Sequence, residues 1–412
     1  MTYEEAAALL KEHGQLQLLE YYGELDERER EILLGDIAEI DFGTLKDIKI
    51  PSAAGKNAER KALNLSPADA LALGEIERDG EKYKKVGLEE IKKGKVAAVL
   101  LAGGQGTRLG WNGPKGTFNI GESKKLSIFG CQMQNLLSVA EEAGAYPRLF
   151  IMTSELNDGQ TRGFFKENSY FGYPQDRICF YKQKTAPALS FDGKILLAEK
   201  HRVALTPNGN GGWFSSLKEA DCGRFLKSEG IEWLNVYGVD NVLQRICDPT
   251  FIGATVLSGK ACSGKVVRKV SPDEKVGVLC KDGGLPAIVE YYEMPEEYKN
   301  LRGGDGELVY TFGVILNYLF CVKKLNEICN SPLPYHLAEK KIDCIADGVK
   351  VAADKPNGYK LETLAVDIVK LMGSCLGYEV KREKEFAPVK NKTGVDSVDT
   401  ARALLKANGV QI

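Results

Sequence analysis

The sequence predicts an α/β protein organised around one open sheet with helices on its faces, and three observations support this fold class. Val96–Leu101 (VAAVLL) is a short, wholly apolar run, which is typical of a strand buried on both faces. The run leads into a loop in which three of the four residues from Gly103 to Gly106 are glycine. From Val96 to about Tyr335, strand-like and helix-like segments alternate, as they do in α/β proteins.

Length and charge limit what kind of protein this is. A chain of 412 residues is too long for one ordinary core and should divide into two or three domains. With 55 basic and 57 acidic residues, the net charge is −2, so the chain lacks the overall positive field of a nucleic-acid-binding protein. No apolar run approaches the length that a membrane-spanning helix needs. We therefore expect neither a nucleic-acid nor a membrane partner.

The N-terminal region, residues 1 to about 93, is predicted to be helical because its apolar residues recur at helical spacing. Thr2 and Glu5 have the spacing of a capping box, which predicts a helix at the start of the chain. Two stretches are predicted to be connections. They are Pro51–Gly55 and the lysine-rich run Glu81–Lys95, which leads into the apolar strand.

Cysteine usage and the first residues of the chain predict a cytoplasmic location. The 10 cysteines are scattered singly, without a C-x-x-C pair, and there are only 3 histidines. Neither a disulfide framework nor a zinc site is supported, so we interpret the cysteines as reduced, mostly buried thiols. Met1–His13 also lacks the basic start and the apolar centre of a secretory signal.

The glycine loop predicts a polyphosphate site. Without Cβ atoms, its N–H groups can approach an anion closely and point the same way. Arg108 and Lys115 are the only cations in the loop, and they suggest two positive groups reaching one nucleoside triphosphate. The alternative is a simple tight turn. The dinucleotide pattern G-x-G-x-x-G fails because Leu109 occupies the third glycine position, and the G-x-x-x-x-G-K-[ST] pattern is absent.

Other motifs are expected to meet this loop at the carboxyl ends of the strands. Leu149–Met152 and Ile178–Tyr181 are predicted as further buried strands, with a helix over Ser127–Ala143 between them and the loop. Gln183 follows the third strand, and its amide can donate to and accept from a pyrimidine edge, although an exposed loop glutamine is the plainer interpretation.

Two further stretches are candidates for the site. In the loop Pro207–Gly212 (PNGNGG), Gly209 can lie flat against a base while Asn210 reaches sugar hydroxyls; the alternative is a β-turn. Trp233–Val239 is predicted as a strand that ends at Asp240. A carboxylate at a strand end suits Mg²⁺, which takes one or two such ligands, whereas an isolated Asp equally often caps a helix.

The C-terminal half adds a possible sugar site. The segment from Gly264 to Tyr291 alternates in strand fashion, with a turn at Lys281–Gly284. Glu290 can accept two hydrogen bonds from hexose hydroxyls, or it can be an ordinary acid on a surface strand. Lys390 lies in the run KREKEFAPVKN, where lysines are usually solvated.

The ordered motifs resemble a known family. LLAGGQGTRLG followed by GPKG is similar to the loop of the eukaryotic-type UDP-N-acetylglucosamine pyrophosphorylases. The resemblance runs from about Leu16 to Leu405. It continues in order through FYKQ, PALSFDGKI, PNGNGG, VYGVDN, DPTFIG, VGVLC, VEYYE, DKPNGYKLE and YEVKREKEFAPVKN.

The resemblance implies a Rossmann-like nucleotidyltransferase fold, in which helices flank a central mixed sheet. It implies a helical N-terminal region (residues 1–93), a catalytic domain (94–344) and a small α/β C-terminal domain (345–412). The implied reaction converts UTP and N-acetylglucosamine 1-phosphate into the UDP-sugar and diphosphate. Two alternatives stay open: glucose or galactose 1-phosphate as the sugar substrate, and a non-catalytic sensor of UTP or UDP-sugars.

The resemblance also implies roles for individual residues. The phosphate-binding catalytic residues are Arg108, Lys115 and Lys390. The nucleotide-binding residues are Leu101, Ala102, Gly103, Gly104, Gln183 and Gly209. The sugar-binding residues are Asn210, Gly277, Glu290 and Tyr291, and Asp240 is the Mg²⁺ ligand.

The chain departs from the family pattern near the sugar and at its C-terminal end. Val314 stands where the N-acetylglucosamine enzymes carry Asn, and valine cannot replace the hydrogen bonds of that amide. Leu364 and Val366 stand where animal members carry aromatic residues. The longer C-terminal extension of the eukaryotic members does not follow Ala401–Leu405, so we expect a monomer or a weak dimer.

Overall fold

The computed structural model describes residues 1–46, 48, 50 and 63–412, and the predicted connection Pro51–Gly55 lies outside them. Two compact units are present. The first comprises Met1–Ala62, Lys184–Gly212 and Pro332–Leu364. The second comprises Leu63–Gln183, Trp213–Ser331 and Ala365–Ile412. Each unit is thus assembled from three separated segments, which differs from the predicted division into the consecutive segments 1–93, 94–344 and 345–412.

Helices and strands alternate through the described chain. The α-helices are α1 Tyr3–Glu12, α2 Glu27–Ala38, α3 Phe42–Lys46, α4 Leu73–Lys92, α5 Ile128–Ala143, α6 Asp158–Glu167, α7 Trp213–Glu219, α8 Arg224–Ser228, α9 Pro249–Ser258, α10 Glu296–Lys299, α11 Val322–Ile328, α12 Ile368–Leu371, α13 Arg382–Glu385 and α14 Val398–Ala407. The strands are β1 Leu65–Pro67, β2 Ala70–Leu71, β3 Val96–Leu101, β4 Arg148–Thr153, β5 Ile178–Lys182, β6 Thr185–Pro187, β7 Leu189–Ser190, β8 Leu197–Glu199, β9 Arg202–Val203, β10 Leu205–Pro207, β11 Trp233–Gly238, β12 Cys262–Arg268, β13 Val278–Asp282, β14 Leu285–Val289, β15 Phe312–Cys321, β16 His336–Lys340, β17 Cys344–Ala346, β18 Val349–Val351, β19 Gly358–Glu362 and β20 Cys375–Glu379.

A large mixed sheet forms the centre of the second unit. Its main strand order is β2-β20-β12-β15-β11-β3-β4-β5, with β1, β13 and β14 attached beside β15. Strands β11, β3, β4 and β5 run parallel, whereas β15 runs antiparallel to both of its neighbours β11 and β12. The predicted α/β class with a central mixed sheet is confirmed.

The buried strands and the first crossover helix follow the sequence prediction closely. Every residue of β3 and of β4 is buried, as their apolar runs predicted. Helix α5 begins after Ser127, whose hydroxyl accepts a hydrogen bond from the Gly130 N–H at 2.9 Å. Leu136, Val139 and Ala140 of α5 belong to the main core beneath the sheet. This packing fixes the strand ends that carry the site.

The lysine-rich run Glu81–Lys95 is not a connection, so that prediction was wrong. Most of it forms the second half of α4, which extends over 20 residues. Its apolar residues explain the difference, because Ile91 is buried and Tyr83 and Leu88 pack against the main core. The lysines between them occupy the exposed side of an amphipathic helix.

The first unit joins the N-terminal helices to short strands from later in the chain. Helix α1 carries the predicted capping box, in which Thr2 Oγ1 accepts from the Glu5 N–H at 3.2 Å. Leu10 and Leu33 share one core with Leu189 and Leu361. Strands β7, β19 and β16 form a small sheet in this unit. Because these partners are far apart in sequence, local patterns did not predict the unit.

Cys179 and Cys222 form a disulfide, which corrects the interpretation of all the cysteines as thiols. It joins β5 to the short turn Asp221–Gly223, both in the second unit. The two cysteines are separated by 43 positions and no motif relates them, so the sequence alone did not predict this bond. No α-helix among the described residues has the length and apolarity needed to cross a bilayer.

Candidate functional site

The loop after β3 is fixed by two side chains from the segment that follows β4. The buried amide of Asn157 donates from Nδ2 to the carbonyl oxygens of Ala102 at 2.9 Å and Gly104 at 3.3 Å. The buried hydroxyl of Ser154 donates to the Gly103 carbonyl oxygen at 3.0 Å. Three successive carbonyl groups of the predicted nucleotide-binding loop are therefore held by one neighbouring segment.

The N–H groups of the same loop have no such partners. Within residues 63–412, the N–H groups of Gly103, Gly104 and Gln105 donate to no other group of the chain. Successive N–H groups of this kind form a concave site of positive partial charge, which can bind a phosphate. The Lys115 N–H closes the loop by donating to the Gly104 carbonyl oxygen at 3.2 Å. Arg108 lies on the exposed turn Thr107–Leu109.

Gln183 lies directly against Gly103. A Cβ atom on Gly103 would come within 3.0 Å of the carbon, nitrogen and oxygen of the Gln183 side-chain amide. The Gln183 backbone is fixed by its N–H, which donates to the Thr153 carbonyl oxygen at 2.9 Å. The ends of β3, β4 and β5 thus meet as the sequence predicted, and a side chain at position 103 would require the Gln183 amide to shift.

The structure pairs Lys115 with Asp240. The lysine Nζ lies 2.5 Å from Asp240 Oδ1. The lysine side chain is 11% exposed, whereas that of Asp240 is 43% exposed. Asp240 follows the last residue of β11, Gly238, by two positions, at the same edge of the sheet as the glycine loop. Helix α9 begins later and is capped by Asp248, so the alternative that Asp240 caps a helix is wrong.

Two buried glutamines hold the turn that carries Asp240. The amide of Gln132, on α5, donates to the carbonyl oxygens of Gly238 at 3.0 Å and Asn241 at 3.2 Å. Gln244 donates to the same two oxygens at 2.7 and 3.2 Å. The position of the Asp240 carboxylate is therefore set by side chains of the core and not by the loop alone.

Lys390 reaches this turn because the segment before it runs alongside residues 240–242. The Asn241 amide oxygen accepts from the Ala387 N–H at 2.9 Å, and the Val389 N–H donates to the Asp240 carbonyl oxygen at 2.8 Å. The Lys390 Nζ lies 3.1 Å from Asp396 Oδ2. A cation from the C-terminal part of the chain is thus brought next to Asp240.

A cavity of about 180 Å³ in the second unit joins Asp240 to the predicted sugar-binding residues. It is lined by Gly238, Asp240, Asn241, Lys275, Val276, Gly277, Glu290, Val314, Ile315, Leu316, Tyr318, Val366, Phe386, Pro388 and Lys390. Gly277 is close to two of these side chains, because a Cβ atom there would lie 3.2 Å from Glu290 Oε1 and 3.3 Å from Val314 Cγ2. Gly277, Glu290 and Val314 therefore share one wall.

A bulge in β15 forms another part of the lining. β12 pairs with β15 at Gly264–Tyr318 and next at Val266–Val314, so Ile315–Asn317 lie opposite Lys265 alone. Leu316 has φ +52°, a conformation that residues with side chains rarely adopt. Such strain is found where the surrounding structure imposes it, and commonly at functional sites.

Two of the four predicted sugar-binding residues, Asn210 and Tyr291, are not among the residues that line this cavity. Tyr291 does not line it; the residue is 41% exposed and its ring contacts that of Tyr292 edge-on. Gly209 and Asn210 belong to the first unit. There Gly209 adopts φ +85°, and a Cβ atom on it would lie 2.3 Å from the Thr363 carbonyl oxygen, so this position requires glycine.

The predicted magnesium site can be tested against its donor atoms. Among the described residues, no three His, Cys, Asp or Glu side chains are close enough to hold a metal by themselves. Mg²⁺ commonly takes one or two carboxylates and completes its shell with substrate phosphates and water. The partly exposed Asp240 carboxylate beside the phosphate-binding loop fits such a site.

Four functional side chains were missed by sequence reasoning: Ser154, Asn157, Gln132 and Gln244. Each acts on a backbone carbonyl of the loop or of the Asp240 turn, and none carries a charge. For Ser154 and Asn157 a signal existed, since the Asn157 side chain also accepts from the Ser154 N–H at 2.8 Å in a local turn after β4. The glutamines act across long sequence separations, where no local pattern marks them.

Comparison with known proteins supports the family. Human UDP-N-acetylhexosamine pyrophosphorylase-like protein 1 is 35% identical over 424 residues, which covers 98% of this chain and 83% of that protein. UDP-N-acetylglucosamine pyrophosphorylase of Saccharomyces cerevisiae is 33% identical over 421 residues, covering 96% of this chain and 87% of the yeast protein. Arabidopsis thaliana UDP-N-acetylglucosamine diphosphorylase 2 is 36% identical over 417 residues, covering 96% and 82%.

A solved structure agrees with these relatives. The uridine diphosphate N-acetylglucosamine pyrophosphorylase of Trypanosoma brucei matches with a TM-score of 0.79 at 27% identity, over 98% of this chain and 84% of that one. The sequence profile described as UTP–glucose-1-phosphate uridylyltransferase matches residues 56–408. With its mixed sheet, its glycine loop and these matches along nearly its whole length, the chain belongs to the UTP–glucose-1-phosphate uridylyltransferase family.

Proposed function

We propose that this protein is a uridylyltransferase that converts UTP and N-acetylglucosamine 1-phosphate into UDP-N-acetylglucosamine and diphosphate. One observation carries the proposal: the cation after the glycine loop is paired with Asp240, and Asp240 lines the same cavity as Lys390 and Glu290. Relatives that carry this activity in their names match the chain over 96% of its length. Cytoplasmic location and a monomeric or weakly dimeric state stay predictions.

The chemistry needs positioned charge more than it needs a base. The second pKa of a phosphate monoester is about 6, so the attacking oxygen of a sugar 1-phosphate is already anionic at neutral pH. The protein has to align this oxygen with the α-phosphorus of UTP, opposite the leaving diphosphate. It must also offset the repulsion between two anions, which is the part that the loop N–H groups, Arg108, Lys115 and Lys390 would play.

We assign Asp240 as the ligand of a magnesium ion. When bound, Mg²⁺ would neutralise charge on the phosphate oxygens and help to orient them. Lys115 and the ion would then share the Asp240 carboxylate, and Lys115 would turn toward the phosphates as they bind. Gln183, beside Gly103, would hold the uracil edge through its amide. Gly277 and Glu290 would contact the sugar, because they line the cavity next to Asp240.

One observation supports a second candidate for the sugar 1-phosphate substrate. Val314 lines the cavity at the position where the N-acetylglucosamine enzymes carry Asn, and Val366 lines it as well. Valine at position 314 cannot make the hydrogen bonds of an amide to an acetamido group, which favours glucose or galactose 1-phosphate as alternative substrates. The family profile carries glucose 1-phosphate in its description.

Diphosphate release tests the proposal. The purified chain is incubated with UTP, Mg²⁺ and one of three sugars: N-acetylglucosamine, glucose or galactose 1-phosphate. We expect diphosphate with at least one of them and the largest kcat/KM with N-acetylglucosamine 1-phosphate. A larger kcat/KM with glucose 1-phosphate would move the assignment to the second candidate. No diphosphate with any sugar, together with tight UTP binding, would instead support the nucleotide sensor.

A further inference from the structure

Tyr318 carries a buried polar group that the proposed reaction leaves without a role. The residue is 0% exposed, and its hydroxyl makes no hydrogen bond within the described part of the chain. Burying a hydroxyl without a partner costs about 1–3 kcal/mol in proteins, so such groups are rare and usually have a reason.

The position of Tyr318 distinguishes it from the other buried groups of this kind. Ten buried side-chain nitrogen and oxygen atoms lack a partner among the described residues. Of the residues that carry them, Tyr318 alone lines the cavity that contains Asp240, Glu290 and Lys390. Its place is set by the bulge of β15, because Tyr318 is the residue at which pairing with β12 resumes, opposite Gly264.

The tyrosine ring lies close to Gly264, and the negative charge of Glu290 is near enough to affect the pKa of its hydroxyl. A Cβ atom on Gly264 would lie 3.0 Å from Cδ1 and Cε1 of the tyrosine, so a side chain at position 264 would press against the ring. Burial and the negative charge of Glu290 raise the pKa of Tyr318 well above its ordinary value. The hydroxyl therefore stays protonated at neutral pH and can donate to an uncharged acceptor.

We propose that Tyr318 is a further sugar-binding residue, whose hydroxyl donates to a hydroxyl oxygen of the hexose that Glu290 holds from the same cavity. A hexose hydroxyl suits this pair, because it can accept from the phenol and donate to the carboxylate at once. Val314, on the same strand, offers no polar side-chain group, so on this strand the polar contact with the sugar would come from Tyr318. This inference rests on the proposed function, since it names a contact in the same site.

Two variants provide the test. Tyr318→Phe removes only the hydroxyl. Tyr237→Phe is the matched control, because Tyr237 is also 0% exposed with an unpartnered hydroxyl but does not line the cavity. KM is measured separately for UTP and for the preferred sugar 1-phosphate. We expect Tyr318→Phe to raise KM for the sugar 1-phosphate about 3- to 10-fold, as expected for one uncharged hydrogen bond, with KM for UTP unchanged.

Deoxy sugars separate binding from a structural effect. If the phenol contacts one hexose hydroxyl, removing that hydroxyl from the substrate should raise the KM of wild type for the sugar 1-phosphate by a similar factor. It should hardly change the KM of Tyr318→Phe, so the effects of the two changes are not additive. We expect this for one member of a series of monodeoxy sugar 1-phosphates. Additive losses across the whole series, or equal losses in Tyr237→Phe, would overturn the inference.

Calorimetric titration with the UDP-sugar makes the outcome independent of turnover. If wild type is inactive but binds the UDP-sugar more tightly than Tyr318→Phe does, the proposed reaction is refuted and the contact is supported. If wild type is active and binds the UDP-sugar with the same affinity as Tyr318→Phe, the contact is refuted and the proposed reaction is retained. A wild type that neither turns over nor binds the UDP-sugar would overturn both.

Discussion

Lys115 Nζ lies 2.5 Å from Asp240 Oδ1, although the two residues are separated by 125 positions in the sequence. The pair joins the end of the glycine loop to the end of β11. Lys115 is nearly buried, whereas the carboxylate is partly open to solvent, so a ligand can approach Asp240 more easily than Lys115. The Lys115 N–H also donates to the Gly104 carbonyl oxygen at 3.2 Å, so the backbone of this lysine is fixed to the glycine loop.

Replacing Lys115 by Ala should greatly reduce turnover. Loss of one preorganised donor at a developing charge costs about 2.7–4 kcal/mol, which corresponds to about 100- to 1000-fold in kcat. Diphosphate release under saturating UTP and sugar 1-phosphate measures this effect. Lys125→Ala is the control, since Lys125 is an exposed lysine in the same part of the chain. Unchanged kcat in a folded Lys115→Ala protein would remove the lysine from the mechanism.

Asp240→Asn should weaken the dependence on magnesium. The amide keeps the shape of the side chain but loses the charge that attracts a hard cation. We expect a higher Mg²⁺ concentration for half-maximal activity, and weaker Mn²⁺ binding in the presence of UTP, measured by electron paramagnetic resonance. Asp69→Asn is the control, because the Asp69 side chain is 99% exposed. Identical Mn²⁺ titrations of wild type and Asp240→Asn would exclude this aspartate as the ligand.

Asn157→Ala should loosen the glycine loop. The substitution removes three hydrogen bonds, two to loop carbonyl oxygens and one from the Ser154 N–H. Leaving buried backbone groups unpaired costs about 1–3 kcal/mol. We therefore expect a lower melting temperature and a higher KM for UTP, with a smaller change in KM for the sugar 1-phosphate.

A neighbouring asparagine provides the comparison for that experiment. Asn168 ends α6, where its amide donates to the Phe164 carbonyl oxygen at 2.8 Å, and among the described residues it makes no hydrogen bond to the glycine loop. Asn168→Ala should also lower the melting temperature but leave KM for UTP unchanged. If both variants raised KM for UTP equally, the effect of Asn157 would be one of general stability and not of loop geometry.

Features that depend on local interactions were predicted from the sequence, whereas features that depend on contacts between distant segments were missed. Val96–Leu101 was placed to the residue, because an apolar run ended by glycines is a local signal. The position at a strand end indicated Asp240, and the resemblance to known enzymes indicated Lys390, each separately. Their placement at one cavity depends on the pairing of residues 386–389 with 240–242, which leaves no periodic trace in the sequence. Side chains that hold a carbonyl group across a long sequence separation, such as Gln132, are invisible for the same reason.

Lys265, Asp248 and Glu385 form a buried ion cluster that the composition of the chain could not reveal. The lysine is 0% exposed, and its Nζ lies 2.9 Å from Asp248 Oδ2 and 2.6 Å from Glu385 Oε2. Glu385 begins the segment that leads to Lys390. Replacing Lys265 by Met should destabilise the protein by about 3–5 kcal/mol, because it removes the buried cation that pairs with both carboxylates. Urea unfolding at pH 7 measures this difference.

The difference in unfolding free energy between wild type and Lys265→Met should become smaller as the pH falls. Burial raises the pKa of Asp248, but the charges of Lys265 and Arg245 outweigh burial and leave it lowered, so its contribution is present above about pH 4 and lost as pH falls through the folded value. Burial raises the pKa of Glu385, so this carboxylate takes up its proton first. The advantage of wild type over Lys265→Met should therefore narrow as the pH falls from neutral into the acid range. A difference that stayed constant from pH 7 to pH 4 would mean that charge pairing contributes nothing, and that the variant is destabilised by packing alone.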